Sequence, residues 1–358
     1  MKTFANDHEF VWFFGVVEDV NDPELLGRCR VRCFGIHTSA KNNIPTEDLP
    51  WAHPMQPITS AAISGIGTSP TGIRPGTHVV GFFRDGSLCQ QPVIMGTVGG
   101  IPQEAPNPSV GFNDPDGVFP TEEYVGIPDT NKLAYGETNE VVSSKLQRAS
   151  ENINHPTPST YVETTGVDDK WSEPPTPYRS QYPYNHVKQT LSGHIEEFDD
   201  TPNAERIHTY HKSGTFEEVH PDGSVVNNIV ANEYHIVEGK EYVHVKDAAN
   251  VMIGPTNGDG SKTGHTTVYI TGNADIEVVG NLNATVNKNA NINSKETITA
   301  NAEKGIFVNS ESGFNIQDGE RFSIATKNGD VKIQSIGNLD IVSGKNVTIR
   351  GQYIDFNP

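Results

Sequence analysis

Apolar and polar positions alternate with a period of eight residues over residues 229–349. Between the apolar positions lie mostly polar residues, and several octads contain a Gly-Asn or Gly-Asp pair. Period-two alternation within each octad predicts short β-strands with one dry face, and the glycine pairs predict the bends between them. Two apolar ladders define the pattern, one at Ile276, Ala284, Ile292, Ala300, Val308, Ile316 and Ile324, and one at Ala274, Leu282, Ala290, Ile298, Ile306, Phe314 and Phe322.

The octads are interrupted twice. Residues 254–265 form a Gly-rich insertion that is predicted to loop out, between an upstream block and the main block of ladders. The second interruption is a slip, because Phe322 and Val331 are nine residues apart. A slip of one residue turns every later side chain to the other face unless a turn or bulge absorbs it. We expect residues 327–330 to be that turn.

A single octad is too short to enclose a core. A single-chain β-helix needs roughly 20 or more residues per coil, whereas three chains contributing one octad each supply about 24 per layer. An isolated strand with one apolar face is not stable. The period therefore predicts an intertwined triple-stranded β-helix (a β-prism) formed by a homotrimer over residues 229–358. A flat amphipathic sheet and a single-chain solenoid with irregular coils are the alternatives.

The first hundred residues carry a different pattern. Five short apolar runs separated by Gly and Pro turns, at residues 10–17, 27–34, 49–55, 77–83 and 92–97, predict a small barrel or OB-fold over residues 1–100. In the second run, Arg28, Arg30 and Arg32 alternate with Cys29, Val31 and Cys33. We expect these arginines on a solvated or partner-facing surface, because no stacking aromatic residues are interleaved with them as in OB-fold nucleic-acid binders.

The charge and composition of the chain limit the classes of partner and fold that it can have. The chain has 358 residues, 26 basic and 45 acidic, for a formal charge of −19. This disfavours nucleic acid as a partner, since phosphate binding requires a basic surface. Apolar residues make up 34%, with 34 Gly and 24 Pro, which is typical of a thin all-β protein. No signal peptide is expected, and no apolar run approaches the 18 residues that a membrane span requires.

The middle of the chain divides into a linker and a neck. Residues 101–177 are Pro-rich and acidic and predict an extended connector, ordered by its neighbours if at all, with a short helix possible at 140–149. Residues 178–228 predict a neck of short strands at 192–199, 205–211 and 214–220, with turns at 200–203 and 221–223. The overall prediction is an all-β chain: OB-fold barrel, connector, neck and trimeric spike.

No catalytic, cofactor-binding or metal-binding residue is predicted, and no cofactor. Cys29, Cys33 and Cys89 are too few for a disulfide framework and are expected to be buried free thiols. His208 and His211 are three apart, so in a strand they point to opposite faces. We therefore expect structural histidines, together with His194 and His220. The connector carboxylates lack a scaffold that would hold the two carboxyl groups of a glycosidase and are expected to be solvated: Glu122, Glu123, Glu137 and Glu140.

Three segments resemble a known family. Residues 49–86, LPWAHPMQPITSAAISGIGTSPTGIRPGTHVVGFFRDG, resemble the N-terminal OB-fold domain of the central spike (tail lysozyme) proteins of contractile-tailed, T-even-like phages, as do residues 15–37, GVVEDVNDPELLGRCRVRCFGIH. Residues 181–224 resemble the segment that leads into the spike of those proteins. This segment, most tellingly at 193–196 and 198–202, is also similar to the valine-glycine repeat spike proteins of type VI secretion.

The resemblance implies a structural protein of the virion, located in the tail baseplate and assembled in the host cytoplasm. The OB-fold would dock onto a ring of baseplate hub protein, and the homotrimeric β-helix would pierce the host cell envelope. The implied partners are two further copies of the chain, the hub ring, a possible tip-capping protein at the C-terminus and, transiently, the host outer envelope. The family's helical lysozyme domain is not predicted here, because the connector is too short and too Pro-rich.

Two other functions stay open. One is a puncturing spike of the type VI secretion kind, which predicts an effector or effector-docking tail after Ile349 and secretion genes nearby. The other is a tail-associated glycan hydrolase, which predicts carboxylates gathered at a groove and release of reducing sugar from a polysaccharide.

Overall fold

The structure is a computed structural model that describes residues 10–135, 174, 176–249, 251, 253, 265–318 and 322–355. The described part is all-β, and its only helical elements are short 3-10 turns. The chain divides into two compact units, residues 1–269 and residues 270–358. None of the described helices is long and apolar enough to cross a membrane.

The N-terminal strands form a closed five-stranded barrel in the order β1-β2-β3-β5-β4. The β3–β5 pair is parallel, and the other pairs, including the β1–β4 pair that closes the barrel, are antiparallel. Each strand lies within or close to one of the five predicted runs, so the OB-fold barrel is confirmed. The strands are β1 (Trp12–Asp19), β2 (Cys29–Cys33), β3 (Trp51–Pro54), β4 (His78–Phe83) and β5 (Pro92–Thr97).

The barrel interior is filled by alternate residues of these strands. A glycine is required at one close approach, because a Cβ on Gly81 would lie 2.1 Å from the Val93 carbonyl oxygen and 2.6 Å from Cζ of Phe13. The strands can therefore close around a small core without a gap. This core consists of Phe13, Val17, Cys29, Val31, Cys33, Ala52, Val79, Phe83 and Ile94.

The first part of the predicted connector lies against the barrel. Residues 101–135 have no strand and only two 3-10 turns, Glu122–Tyr124 and Lys132–Tyr135. The Gly111 amide donates to the Ser39 carbonyl at 2.8 Å, and the Phe112 ring stacks on Phe34 at a centroid distance of 4.5 Å. Residues 111 and 112 thus contact the barrel domain directly. The possible helix at 140–149, with Glu137 and Glu140, lies outside the described residues.

A five-stranded antiparallel sheet forms the neck, in the order β10-β9-β8-β7-β6. The three predicted strands are present, and the predicted turns carry the left-handed residues Asn203 (φ 61°) and Gly223 (φ 85°). The two edge strands, β6 and β10, were not predicted because their sequences are short and largely polar. The strands are β6 (Asn185–Gln189), β7 (Ile195–Asp199), β8 (Arg206–Tyr210), β9 (Phe216–Val219) and β10 (Val225–Asn228).

A second core lies under one face of the neck sheet. It joins Ile195, Tyr210 and Phe216 of the strands to Leu133, which comes from the end of the connector. The Leu133 carbonyl accepts hydrogen bonds from Nδ2 of Asn185 at 2.9 Å and from the hydroxyl of Tyr178 at 3.1 Å. The connector is therefore part of the neck fold at this point, which the sequence pattern did not indicate.

The octad period is visible in the backbone as bends that recur every eight residues. Within residues 270–318 the chain bends at 271–272, 279–280, 287–288, 295–296, 303–304 and 311–312, and the segments between the bends form no strand or helix. The same spacing holds upstream, at 230–231, 238–239 and 246–247. Further along, a three-residue bend at 327–329 is followed by bends at 336–337 and 344–345. The nine-residue step thus falls where the sequence predicted that the slip is absorbed. The Gly-rich insertion, except for His265, lies outside the described residues.

Candidate functional site

The octad ladders form an apolar surface that a single chain leaves uncovered. Ile276 is 84% exposed, Leu282 75% and Ile292 80%, and each lies between two bends. Isolated exposed apolar residues are ordinary, but large contiguous apolar surfaces mark interaction sites. The same exposure continues along both ladders, at Ile298, Ile306, Val308, Phe314, Ile316, Phe322, Ile324, Val331, Ile333, Leu339, Ile341, Val347 and Ile349.

Hydroxyl side chains close several of the octad bends. Oγ of Ser294 donates to the Thr297 carbonyl at 3.2 Å, and Oγ of Ser310 donates to the Gly313 carbonyl at 2.6 Å. Ser335 bonds the Asn338 carbonyl at 3.2 Å in the same way, and Thr326 bonds the Gly329 carbonyl. Such local side-chain bonds fix a turn without help from a neighbouring strand. A Ser or Thr directly before the bend was the sequence signal for this feature.

The interior of the neck sheet holds a network of charges. The Glu197 carboxylate accepts from Arg206 at 2.8 Å, from Nδ1 of His208 at 2.7 Å and from Nδ2 of Asn185 at 2.9 Å. Arg206 also donates to Glu218 at 2.8 Å, so it bridges two carboxylates on the neighbouring strands β7 and β9. All five residues are less than 5% exposed. The network therefore ties four strands together from the inside.

The electrostatics of this network are those of a structural ion cluster. Burial alone would raise the pKa of Glu197, but the hydrogen bond from His208 and the charge of Arg206 outweigh burial and lower it. Buried charges are tolerated only when they are paired in this way. Because neither Glu197 nor Glu218 reaches the surface, these carboxylates cannot act on a substrate in solution.

The predicted histidines separate as the strand geometry requires. His208 is buried in the network, and His211 is exposed with its ring 4.5 Å from that of His194. Nε2 of His220 bonds Glu218 at 3.0 Å. His208 and His220 thus form hydrogen bonds with the carboxylates of the neck network. The described residues contain no group of three or more His, Cys, Asp or Glu side chains that could hold a metal ion.

Arg32 contradicts the expectation of a solvated arginine face. It is fully buried and pairs with Glu18, with Nε 2.7 Å from Oε1 and a second contact of 3.1 Å to Oε2. The guanidinium also donates to the carbonyls of Thr38 at 2.7 Å and Ile44 at 2.9 Å. The expectation was wrong because the loop after β2 and the start of the connector cover this part of the barrel wall, which strand alternation does not reveal.

The other two arginines are held at the barrel surface. Arg28 pairs with Asp22 at 2.7 Å, and the guanidinium of Arg30 lies 4.3 Å from the ring centroid of Trp51. Both guanidinium groups are therefore engaged in contacts within the domain. Among the described arginines of β2 and its approach, none is left to form a basic surface for nucleic acid.

Aromatic side chains cluster on the outer face of β1 and β4, and we call this cluster the aromatic patch: Phe10, Trp12, Phe14 and Phe82. Phe10 lies 5.0 Å from Trp12 and 5.3 Å from Phe82, between ring centroids. Trp12 is 55% exposed and Phe14 57%. Exposed aromatic groups of this kind are typical energetic centres of protein interfaces. The run of apolar residues at 10–14 predicted the strand, and its outward positions were the unused signal for the patch.

The remaining candidate residues have structural surroundings. Cys29 and Cys33 are buried free thiols whose pKa is raised to about 12 by burial, and Cys89 is half-buried and free. Glu122 and Glu123 lie side by side on an exposed 3-10 turn. Neighbouring positions on one turn do not place two carboxylates across a sugar, as glycoside hydrolysis requires.

Comparison with known proteins places these features in a family context. Residues 35–173 match the family model described as the Gp5 N-terminal OB domain, a range that begins after β2 and continues beyond the barrel. The chain is 43% identical over 267 residues to protein Gp5 of Vibrio phage KVP40, a match that covers 68% of this chain and 63% of that protein.

The name of a second relative states the role of that protein. The chain is 49% identical over 130 residues to the pre-baseplate central spike protein Gp5 of Enterobacteria phage T4. That match covers 35% of this chain and 22% of the T4 protein, so the chain spans less than two thirds of either relative. Over the matched residues, this chain is therefore similar to the phage Gp5 proteins, and residues 35–173 are similar to their N-terminal OB domain.

Proposed function

We propose that this chain is the central spike of a contractile phage tail baseplate, located in the virion, and that it acts as a mechanical part. Its relatives carry the Gp5 name, and one of them is named for the central spike. The observation that carries the proposal is the octad surface, in which apolar residues recur every eight positions and remain exposed in one chain.

In this proposal, two further copies of the same chain cover the octad surface. Three chains supply about 24 residues per layer, which is enough for a closed coil, and every copy carries the same ladders. Burying a Val, Leu, Ile or Phe side chain stabilises a fold by about 1.5–3 kcal/mol. The long ladders would therefore drive strong association.

An intertwined trimer also has the properties that a piercing spike requires. Each backbone edge pairs with a neighbouring chain, so few free edges remain to aggregate. Separation requires three wound chains to unfold together, which favours high kinetic stability. These properties support penetration of the host cell envelope by mechanical force.

We further propose that the chain lacks the lysozyme domain of the family and is not an enzyme. The support is the composition of residues 101–177, which are rich in Pro and acidic residues, and the contacts that hold residues 111 and 112 against the barrel domain. Glu197 and Glu218 of the neck are held in the buried ion cluster, and Glu122 and Glu123 of the exposed turn are adjacent in sequence.

The OB-fold would dock onto the baseplate hub ring through the aromatic patch. Its exposed Trp and Phe side chains provide the apolar anchor that hot spots of protein interfaces share. The net charge of −19 and the internally paired arginines oppose a nucleic-acid partner. The far end of the octads would carry a tip-capping protein.

The proposal is tested by the native mass of the full chain, from light scattering coupled to size exclusion. Three copies of 39.0 kDa give about 117 kDa. We expect that mass, and a trimer that survives sodium dodecyl sulfate until it is heated. A mass near 39 kDa at all concentrations would contradict the shared core.

A further inference from the structure

A histidine occupies a ladder position at the start of the octads. Six residues separate the bends at 230–231 and 238–239, and His235 is the fourth of them. Ile276 holds the same position after the bend at 271–272. After each later described bend, from 238–239 to 344–345, the fourth residue is apolar: Val243, Val251, Ile276, Ala284, Ile292, Ala300, Val308, Ile316, Ile333, Ile341 and Ile349.

The second ladder is also polar at this level. Its members are the second residue after each bend, as Ala274 and Leu282 are in the main block. In the first two octads this position belongs to Glu233 and Glu241. Alternate residues of a strand face the same side, so in the strands of the proposed spike these carboxylates and His235 would share the ladder side.

A single chain brings part of this polar set together. Nε2 of His235 lies 3.8 Å from Oε1 of Glu241, and both side chains are more than half exposed. Within the part of the chain that the structure describes, no three His, Cys, Asp or Glu side chains gather as a metal site. A polar side chain that an apolar core encloses without a partner is costly, so the spike core would require a partner for His235.

We propose that three copies of His235 form a binding site for a divalent transition-metal ion on the axis of the spike, and that Glu241 orients the imidazole. This inference rests on the proposed function. A three-fold axis brings three equivalent imidazoles to one point, and three His nitrogens with an open fourth position are a known zinc ligand set. A carboxylate beside a ligating imidazole fixes the orientation of its ring.

The dimensions of the octad suit such a site. Six extended residues span about 20 Å, so a triangular prism with sides of this length has its axis about 6 Å from the middle of each side. The fourth of six residues stands near that middle. An imidazole together with a metal–nitrogen bond of about 2 Å bridges a similar distance. Glu233, two residues nearer to the bend, would lie farther from the axis.

Titration of the full chain with Zn²⁺ tests this inference. The protein is first dialysed against EDTA, and binding is followed by calorimetry. We expect about one Zn²⁺ for every three chains, because a site on a three-fold axis is shared by three copies. Zn²⁺ should also raise the temperature at which the trimer dissociates in sodium dodecyl sulfate, since a ligand of the assembled state stabilises it.

A matched pair of histidine variants locates the ion. His235→Val should abolish Zn²⁺ binding and both effects of Zn²⁺, yet keep the trimer by light scattering, because Val restores the apolar ladder. His244 is the fifth residue after its bend and belongs to the opposite side, so His244→Val should bind Zn²⁺ like the wild type. Glu241→Gln should weaken Zn²⁺ binding by about 10–100-fold, the effect of losing a group that orients a ligand.

The inference and the proposed function can fail separately. A wild-type trimer that binds no Zn²⁺, or that binds one ion on every chain, overturns the inference and leaves the proposed spike standing. Zn²⁺ binding that survives in His235→Val, or that His244→Val loses equally, places the ion elsewhere and also overturns the inference. A wild-type monomer by light scattering overturns the proposed spike itself, and the axial site with it.

Discussion

At the residue scale, the Glu18–Arg32 pair stabilises the junction of barrel and connector. Glu18 accepts hydrogen bonds from Oγ1 of Thr46 and from the Phe112 amide, both at 2.8 Å, in addition to those from Arg32. Burial alone would raise the pKa of Glu18, but these hydrogen bonds outweigh it and lower the pKa. One carboxylate thus joins β1, β2 and two loops.

Glu18→Gln is expected to lower the free energy of unfolding of the barrel by about 3–5 kcal/mol at pH 7, because it leaves the Arg32 charge buried and unpaired. A lowered folded-state pKa means that the pair stabilises above the unfolded pKa, about 4.3, and that this contribution is lost as the pH falls below it. The variant and the wild type should therefore converge in acid. Hydrogen exchange of the β1 and β2 amides measures both effects.

Glu24→Gln is the control for this prediction. Glu24 contacts Arg28 at 3.2 Å but is 64% exposed, so the change should cost no more than about 1 kcal/mol. An equal loss of hydrogen-exchange protection in both variants would contradict the prediction that the buried pair stabilises the barrel more than the exposed pair does.

At the element scale, the octad is a segment between two bends, and within the described residues no β-strand follows β10, so the predicted octad strands are not formed in a single chain. The exposed fractions of Ile298 and Phe314 are 62% and 68%, although both positions follow the ladder spacing. The bends are closed locally by hydroxyl groups, as at Ser294 and Ser310. The element therefore carries its own turns, and in the proposed spike its core would be formed with other chains.

Ile298→Asp should destabilise the assembled spike strongly, since it would place three carboxylates in one layer of the core. Thr299→Asp, at the neighbouring polar position, should have little effect. The temperature at which the trimer dissociates in sodium dodecyl sulfate compares the two variants. Similar dissociation temperatures would indicate that the ladder does not face the other chains.

Element types were predictable where the sequence pattern is local. The five barrel strands and three neck strands follow from alternation and turn residues, and the bends follow from the octad period. β6 and β10 were missed because largely polar edge strands lack that signal. The burial of Arg32 and the role of Leu133 depend on segments distant in sequence, so no local pattern reports them.

At the scale of the whole molecule, the proposed function assigns attachment to the barrel and penetration to the octad region. The aromatic patch is the strongest candidate for attachment, because Trp12 and Phe14 remain more than half exposed beside ordered neighbours. The sequence predicted docking only by family resemblance and named no residue. The structure shows which side of β1 faces outward, and the residues proposed for docking are chosen on that basis.

Trp12→Ala is expected to weaken binding of the trimer to purified hub protein from the same phage by about 30-fold or more, the loss of a hot-spot side chain. Leu88→Ala is the matched control, since Leu88 is 64% exposed on the same barrel but lies outside the aromatic patch. Titration calorimetry measures both. Equal affinities of the two variants for the hub would place the docking surface elsewhere.

The nine-residue step at residues 327–336 has a consequence for assembly. A perfectly uniform repeat is ambiguous, because three identical chains could join one octad out of step and lose contacts only at their ends. A single longer step removes that ambiguity, since any staggered arrangement would set a nine-residue segment beside an eight-residue one and turn ladder residues away from the core. The irregularity would thus fix the register of the three chains, so that all three would end at the same level at the tip.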